Sequence, residues 1–177
     1  PAGSGTKVSP KPKAEAAVPI RMLMEHKEIK AWENGRQLYA VIWQNPLIGR
    51  EDAEKYPAIS TVFKSLKTLQ DKDSVYLEKN LAETAEDLKQ YAGDMEVSCF
   101  DSTRYYVQRA DNHIISMRHN WSSNTGAAHP MTVVSGYNFS TETGAMLSLA
   151  DVVTDTAQIK EMVKKELSEQ YIDYLFE

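Results

Sequence analysis

The chain holds a single cysteine, Cys99, in 177 residues. One thiol forms no internal disulfide and leaves no CxxC pair for a thiol-bound metal. No apolar run approaches the roughly 18 residues that a membrane span needs, and no signal-peptide core is present. GxGxxG, GxxxxGK[ST], HExxH and GxSxG are all missing, so the familiar dinucleotide, P-loop, zincin and serine-hydrolase sites have no foothold. Positive charge is also scarce beyond the first thirty residues. Residues 1–30 carry six Lys/Arg against three Asp/Glu, a net of +3; taking that from the whole-chain value of -5 leaves -8 for residues 31–177. An acidic body argues against nucleic acid, whose phosphates need Lys/Arg to neutralise them. It suits a basic partner, although a charge of this size also serves solubility.

What is there is enough for a core: 42% of the residues are hydrophobic, which fits one ordinary domain or two small ones. The start, PAGSGTKVSPKPKAEAAVP (1–19), has no aromatic residue and is rich in Pro, Ala, Gly and Lys, so it reads as a flexible linker. A linker there implies a preceding anchor or signal, and Ala14–Ala16 has the small-x-small form of a signal-peptidase site. From Ile20 the pattern alternates, and Asn34-Gly35 supplies the two positive-φ positions of a type I′ hairpin turn. A hairpin over 20–44 follows, ended by NPLIG (45–49). Residues 51–92 take helical spacing, with Ile59, Val62, Phe63, Leu66 and Leu69 on one stripe and Leu77, Leu81, Ala85 and Leu88 on a second. DKD (71–73) separates the two, and Gly93 is the expected stop. A three-stranded meander is expected over 97–139, with Ile115, Met117, His119 and Trp121 sharing a face of its middle strand. Ser148 with Asp151, and Asp155 with Gln158, have N-cap spacing ahead of an amphipathic helix expected to pack on a sheet.

Chemistry-bearing residues are sparse. His113 and His119 fall about 20 Å apart along one strand, too far for one metal. His119 and His129 flank a loop, but a zinc site there needs a third ligand such as Asp101 or Asp111. Cys99 sits in an alternating strand, where a buried structural thiol is the default. Ser122 and Ser123 lie near His119, yet no orienting acid has a recognisable position. Tyr105, Tyr106, Trp121, Tyr137 and Phe139 gather on the expected sheet, either as core beneath a helix or as a binding face.

The stretch RYYVQRADNHIISMRHNWSSNTGAAHPMTVVSGYNFSTETGAMLSLADVV (104–153) resembles an extracytoplasmic domain shared by RsiV-type anti-sigma factors, PdaC-type peptidoglycan deacetylases and many Gram-positive lipoproteins of unknown function. The resemblance rests on Thr125-Gly126-Ala127-Ala128-His129, on Gly136 to Phe139, on Thr143-Gly144, and on Leu147, Leu149 and Asp151. The N-terminal half, with KYP (55–57) before its helix, resembles the companion domain more loosely. Two features depart from the pattern: Ala127 stands where a second glycine is common, and the sequence stops at Glu177 where related chains usually continue through further strands. The deacetylase module of the PdaC type is absent, so its zinc chemistry is not carried over.

The expectation is an α+β fold, with small antiparallel sheets (a hairpin and a three-stranded meander) covered by amphipathic helices. Residues 1–19 would be the linker, 20–96 an N-terminal unit, and 97–177 the RsiV/PdaC-like unit. The resemblance implies a non-enzymatic extracytoplasmic binding or sensor domain, anti-sigma-factor-like and recognising lysozyme. The alternative is a peptidoglycan-associated accessory domain of a cell-wall enzyme or lipoprotein. Partners would be a basic protein such as lysozyme, or cell-wall polymer; no nucleic acid is expected, and a membrane is met only through an anchor outside this chain. The chain would be tethered to the cell membrane or secreted. The expected contact is Trp121, Ser122, Ser123, Asn124, Thr125, Gly126 and His129; no catalytic residue, metal or cofactor is assigned.

Overall fold

A computed structural model describes residues 16–92, 99–127, 129–153 and 155–170. Most of the 1–19 linker, the 96/97 boundary, Gly93, Ala128 and Leu175 therefore lie outside the described residues. The fold is α+β: β1 (Met22–Glu33), β2 (Arg36–Ile48), α1 (Arg50–Lys55), α2 (Pro57–Ala92), β3 (Cys99–Ala110), β4 (Ile114–Asn124), β5 (Met131–Ser140), α3 (Leu149–Val152) and α4 (Thr156–Gln170).

The hairpin and the meander are not separate sheets. They join into one five-stranded sheet of order β1-β2-β3-β4-β5. Every pairing is antiparallel except β2 with β3, which run parallel from Tyr39 opposite Cys99 to Trp43 opposite Thr103. The helix α2 makes the crossover that a parallel pair requires. Nothing local in either half announces this seam, because it forms between residues sixty positions apart.

The hairpin turn follows its sequence: Asn34 and Gly35 have φ of 50° and 79°. β2 nevertheless runs past the expected break, with Pro46 opposite Met24. The Gly49 N–H donates to the Arg21 carbonyl at 2.9 Å. By alternation the N–H groups of 45 and 47 also face β1, so position 46 faces the β3 side. Pairing with β3 has already ended at Trp43, so the missing proline donor costs no ladder bond.

α2 is a single 36-residue helix, uninterrupted at DKD. Its sheet-facing stripe is apolar at both ends and polar in the middle. Towards the N-terminus, Ile59 and Phe63 form one core with Tyr105, Ile115, Met117 and Phe139. Towards the C-terminus, Leu81 and Ala85 form a second with Val41, Trp43 and Cys99. Between them lie Lys67, Gln70, Asp71 and the buried Ser74. Leu69, expected in the stripe, is 57% exposed.

Asp71 survives there because the sheet, together with Lys67 one turn earlier on α2, meets it with donors. Lys27 Nζ reaches its two oxygens at 3.0 and 2.9 Å, Trp43 Nε1 at 2.9 Å, Asn45 Nδ2 at 3.0 Å and Lys67 Nζ at 2.9 Å. Glu25 completes the cluster by accepting from Lys67 and Asn45. The hairpin is thereby pinned to the helix through charge-assisted bonds as well as apolar contact.

The last helix departs from expectation. The cap spacings hold, with Asp151 Oδ2 accepting from the Ser148 N–H at 2.7 Å and Asp155 Oδ1 from the Gln158 N–H at 2.9 Å. But α3 lasts four residues, and α4 leaves Met162 and Val163 more than half exposed instead of packing on the sheet. The reason lies in the sheet. One face is already taken by α2, and the other mixes Ser102, Arg104, Asn120, Ser122 and Thr132 with Ile42, Phe100 and Tyr106, so no continuous apolar stripe is left for a helix to cover.

After β5 the chain turns back onto α2 at Gly144, whose φ is +71°. A Cβ there would sit 3.0 Å from Val62 Cγ2 and 3.2 Å from the Ala58 backbone carbonyl. Gly144→Ala is expected to lose about 1–3 kcal/mol, from left-handed strain plus contact with backbone that cannot yield. Urea unfolding checks it: the midpoint should fall with the slope unchanged.

Candidate functional site

The polar middle of α2 does not close tightly on the sheet. A cleft of about 300 Å³ remains, lined by Gln70, Asp73, Ser74 and Leu77 from α2 and by Val41, Ile42, Trp43, Asp101, Thr103, Tyr105, His119, Trp121 and Tyr137 from the sheet. Alternation along β3 and β4 puts residues 101, 103, 105, 119 and 121 on the α2 side. Register then sets Tyr105 directly opposite His119 and Thr103 opposite Trp121.

Three rings form one wall. Tyr105 and His119 have centroids 4.9 Å apart, His119 and Tyr137 5.4 Å, and Tyr105 and Tyr137 6.3 Å. Gln70 Nε2 donates to the Tyr105 hydroxyl at 2.9 Å, and Trp121 Nε1 donates to Asp101 Oδ2 at 2.9 Å. Asp101 is only 3% exposed. Burial pushes its carboxyl above the usual range, opposed by Trp121 and Ser123. Burial likewise raises the Tyr105 phenol to about 12, helped by Tyr137 and opposed by Gln70. The His119 imidazole is lowered by burial, which favours its neutral form. Two buried atoms of this wall, His119 Nδ1 and Gln70 Oε1, have no hydrogen-bond partner among the described residues.

The residues expected to make the contact divide between places. Trp121 enters the cleft, and Ser123 lies beside Asp101. Ser122 points to the opposite face, its hydroxyl 3.1 Å from that of Thr132. Asn124 turns the loop by accepting the Gly126 N–H at 3.0 Å. Gly126 has φ +88°, and a Cβ there would collide with Leu88 Cδ1 of α2, so this glycine lets the loop lie on the helix. Thr125 and His129 are exposed. His119 and His129 are thus separated by setting, one in the cleft wall and one on the open loop, and among the described residues no three His, Cys, Asp or Glu side chains converge. Cys99 is buried, with its thiol raised by burial. Of the five aromatic residues, Tyr106 alone faces away from α2, with the Arg118 guanidinium 4.6 Å above its ring.

Of the cleft residues, Gln70, Asp73 and Ser74 on α2 and Thr103 on β3 were not foreseen, whereas Tyr105 was named in a possible aromatic face and Asp101 only as a possible metal ligand. The signal for those on α2 was the interruption of the helix's apolar stripe at Lys67–Ser74, which marks polar groups turned towards the sheet.

Among solved structures, a DUF3298 family protein from Bacteroides fragilis superposes with a TM-score of 0.61 at 15% identity, over 88% of this chain and 70% of that one. One from Pseudomonas aeruginosa gives 0.55 at 12% identity, over 86% of this chain and 66% of that one. The fold is shared with DUF3298 proteins. No protein-family model matches the sequence, and no curated protein matches it significantly. The likeness to the DUF3298 proteins is one of fold, and this chain spans about two thirds of their length. Among the described residues no helix is long and apolar enough to cross a membrane.

Proposed function

We propose that this chain is a non-enzymatic extracytoplasmic binding domain of the anti-sigma sensor kind, recognising a basic protein of which lysozyme is the first to try. The observation that carries the reading is the cleft between α2 and the sheet, walled by aromatic rings and by Asp101, with no Lys or Arg in its described lining. It opens on a body whose residues 31–177 carry -8. Complementary charge of this kind raises encounter rates and selects partners more than it adds affinity. The resemblance of residues 104–153 to the RsiV/PdaC-type domain supports the extracytoplasmic placement, with tethering through an anchor outside this chain or secretion.

A second reading has its own support. Rings such as Tyr105, Tyr137 and Trp121 could stack on sugars, as an accessory domain holding an enzyme or lipoprotein against peptidoglycan would need.

The test is calorimetric titration of the 177-residue chain with a C-type lysozyme at low and physiological salt, beside an inert basic protein of equal charge. Saturable binding that survives physiological salt and is absent from the control is expected. Binding no better than the control, or lost with salt, overturns the sensor reading. Retention on isolated cell walls would then favour the accessory role.

A further inference from the structure

We propose that the cleft binds an organic cation, an ammonium or guanidinium group on an aliphatic stem, of the kind a lysine or arginine side chain presents. The inference deepens the reading above by naming the group a basic partner would insert, and rests on it only for the source of that group.

The carboxylate and the unpartnered acceptors of the wall favour a donor-rich, positively charged guest. Asp101 is a carboxylate in a setting only 3% exposed, and no basic side chain lines the described cleft to neutralise it. The nearest lysines, Lys27 and Lys67, are engaged by Asp71 and Glu25. Gln70 spends its amide nitrogen on the Tyr105 hydroxyl, which leaves Oε1 as a buried acceptor without a partner. His119 Nδ1 is likewise buried and unpartnered, and a neutral imidazole can accept through that atom. Buried polar atoms are rarely left so, and an unpaired pair of this kind in a cleft wall points to an external donor.

The apolar parts agree. Tyr105 and Tyr137 flank His119 in the wall, and Trp121 is held by its bond to Asp101. Aromatic faces attract cations and tolerate an aliphatic stem. An anion would face Asp101 without a counter-charge, which burial makes unfavourable. A neutral polyol would leave the Asp101 carboxylate, only 3% exposed, without a counter-charge.

The experiment is a nitrogen–proton NMR titration of the full 177-residue chain with n-butylammonium and n-butylguanidinium, and with n-butanol as the neutral match. Saturable shifts of the Trp121 indole N–H are expected with at least one cation, in the millimolar range, and not with the alcohol. Asp101→Asn keeps an acceptor for Trp121 but removes the charge, and should weaken binding at least about tenfold. Tyr137→Leu, at a half-buried position, removes an aromatic face and should weaken it as well. No saturable shift with either cation, an equal response to butanol, or full affinity in a folded Asp101→Asn protein overturns the proposal. If Asp101→Asn does not fold, unchanged binding by Tyr137→Leu overturns it. The two readings separate cleanly. Cations that bind while lysozyme does not leave the site standing without that partner. Lysozyme binding, with both small cations leaving the Trp121 indole unmoved, overturns the cation site alone.

Discussion

Phe63→Ala is expected to destabilise the protein by about 3–5 kcal/mol, the usual cost of deleting a buried aromatic ring and leaving its space unfilled. Phe63 is 1% exposed and meets Phe139 edge-on, with ring centroids 5.8 Å apart at 84°. Its neighbours Ile59, Ile115 and Met117 are fully buried, so little can move in to fill the gap. It also ties α2 to β4 and β5, which the hairpin cluster at Asp71 does not reach. Against a typical total of about 5–15 kcal/mol, such a loss leaves a marginal protein. Urea unfolding followed by circular dichroism measures it, with Phe63→Leu as the milder companion at under about 1.5–2 kcal/mol. A loss below about 1.5 kcal/mol for the alanine protein would mean that this end of the core is looser than its burial indicates.

Asp71→Ala carries the other large effect, expected at about 2–4 kcal/mol. The loss is smaller than for a fully buried pair because Asp71, Lys27 and Lys67 keep about a third of their side chains exposed. Without the carboxylate, two ammonium groups crowd together with Glu25 as the remaining acid in the cluster, and Trp43 Nε1 loses its acceptor. The pH dependence follows from the same contacts. Burial alone would raise Asp71, but hydrogen bonds from Trp43, Lys67, Lys27 and Asn45 outweigh it and hold the carboxyl well below its ordinary 3.8. Its contribution is therefore fully present above about pH 4 and falls away as the pH drops towards the folded-state value. Lys67 moves the opposite way, raised chiefly by Glu25 and Asp71 above its ordinary 10.5. Its share holds below that value and is lost as the pH climbs through the folded one. Unfolding midpoints for the parent and Asp71→Ala proteins should differ most between about pH 5 and 9, and the gap should begin to narrow below about pH 4 and close only as the pH approaches the folded-state value. A gap that does not change with pH would show that packing, not charge, is what Asp71 supplies.

Much of the local structure was legible because its causes are local. Asn34-Gly35 needs only its own backbone preferences to turn the chain, and the alternation through Ile115, Met117 and His119 assigned the buried face of β4. The α+β class followed from those elements. What escaped was set by distant partners. The parallel seam depends on β3 returning beside β2. The continuity of α2 through DKD depends on donors from Lys27, Trp43 and Asn45, which no helical window contains. The free surface of α4 was hidden for the same reason, since amphipathic spacing shows a stripe but not whether anything covers it. The cleft was half legible: Trp121, Tyr105 and Tyr137 came from the aromatic clustering on the expected sheet, whereas the roles of Asp101 and Gln70 required the sheet and helix to be set face to face.

The crossover makes α2 a measuring rod. Thirty-six residues at 1.5 Å give about 54 Å, enough to run back along the whole of β2, whose thirteen residues extend about 43 Å. The rod brings the chain to Cys99 opposite Tyr39 and sets the register of every strand that follows. In evolutionary terms the outward face of the helix is then free in letters, and the helix is fixed in length. Its outward side chains, Val75 and Tyr76 among them, can drift without consequence. One inserted residue would rotate the downstream stripe by about 100°, carrying Leu81 and Ala85 off the sheet while Ile59 and Phe63 stayed on it. Lineages descended from this fold should accumulate substitutions on the outward face of α2 and place their insertions elsewhere.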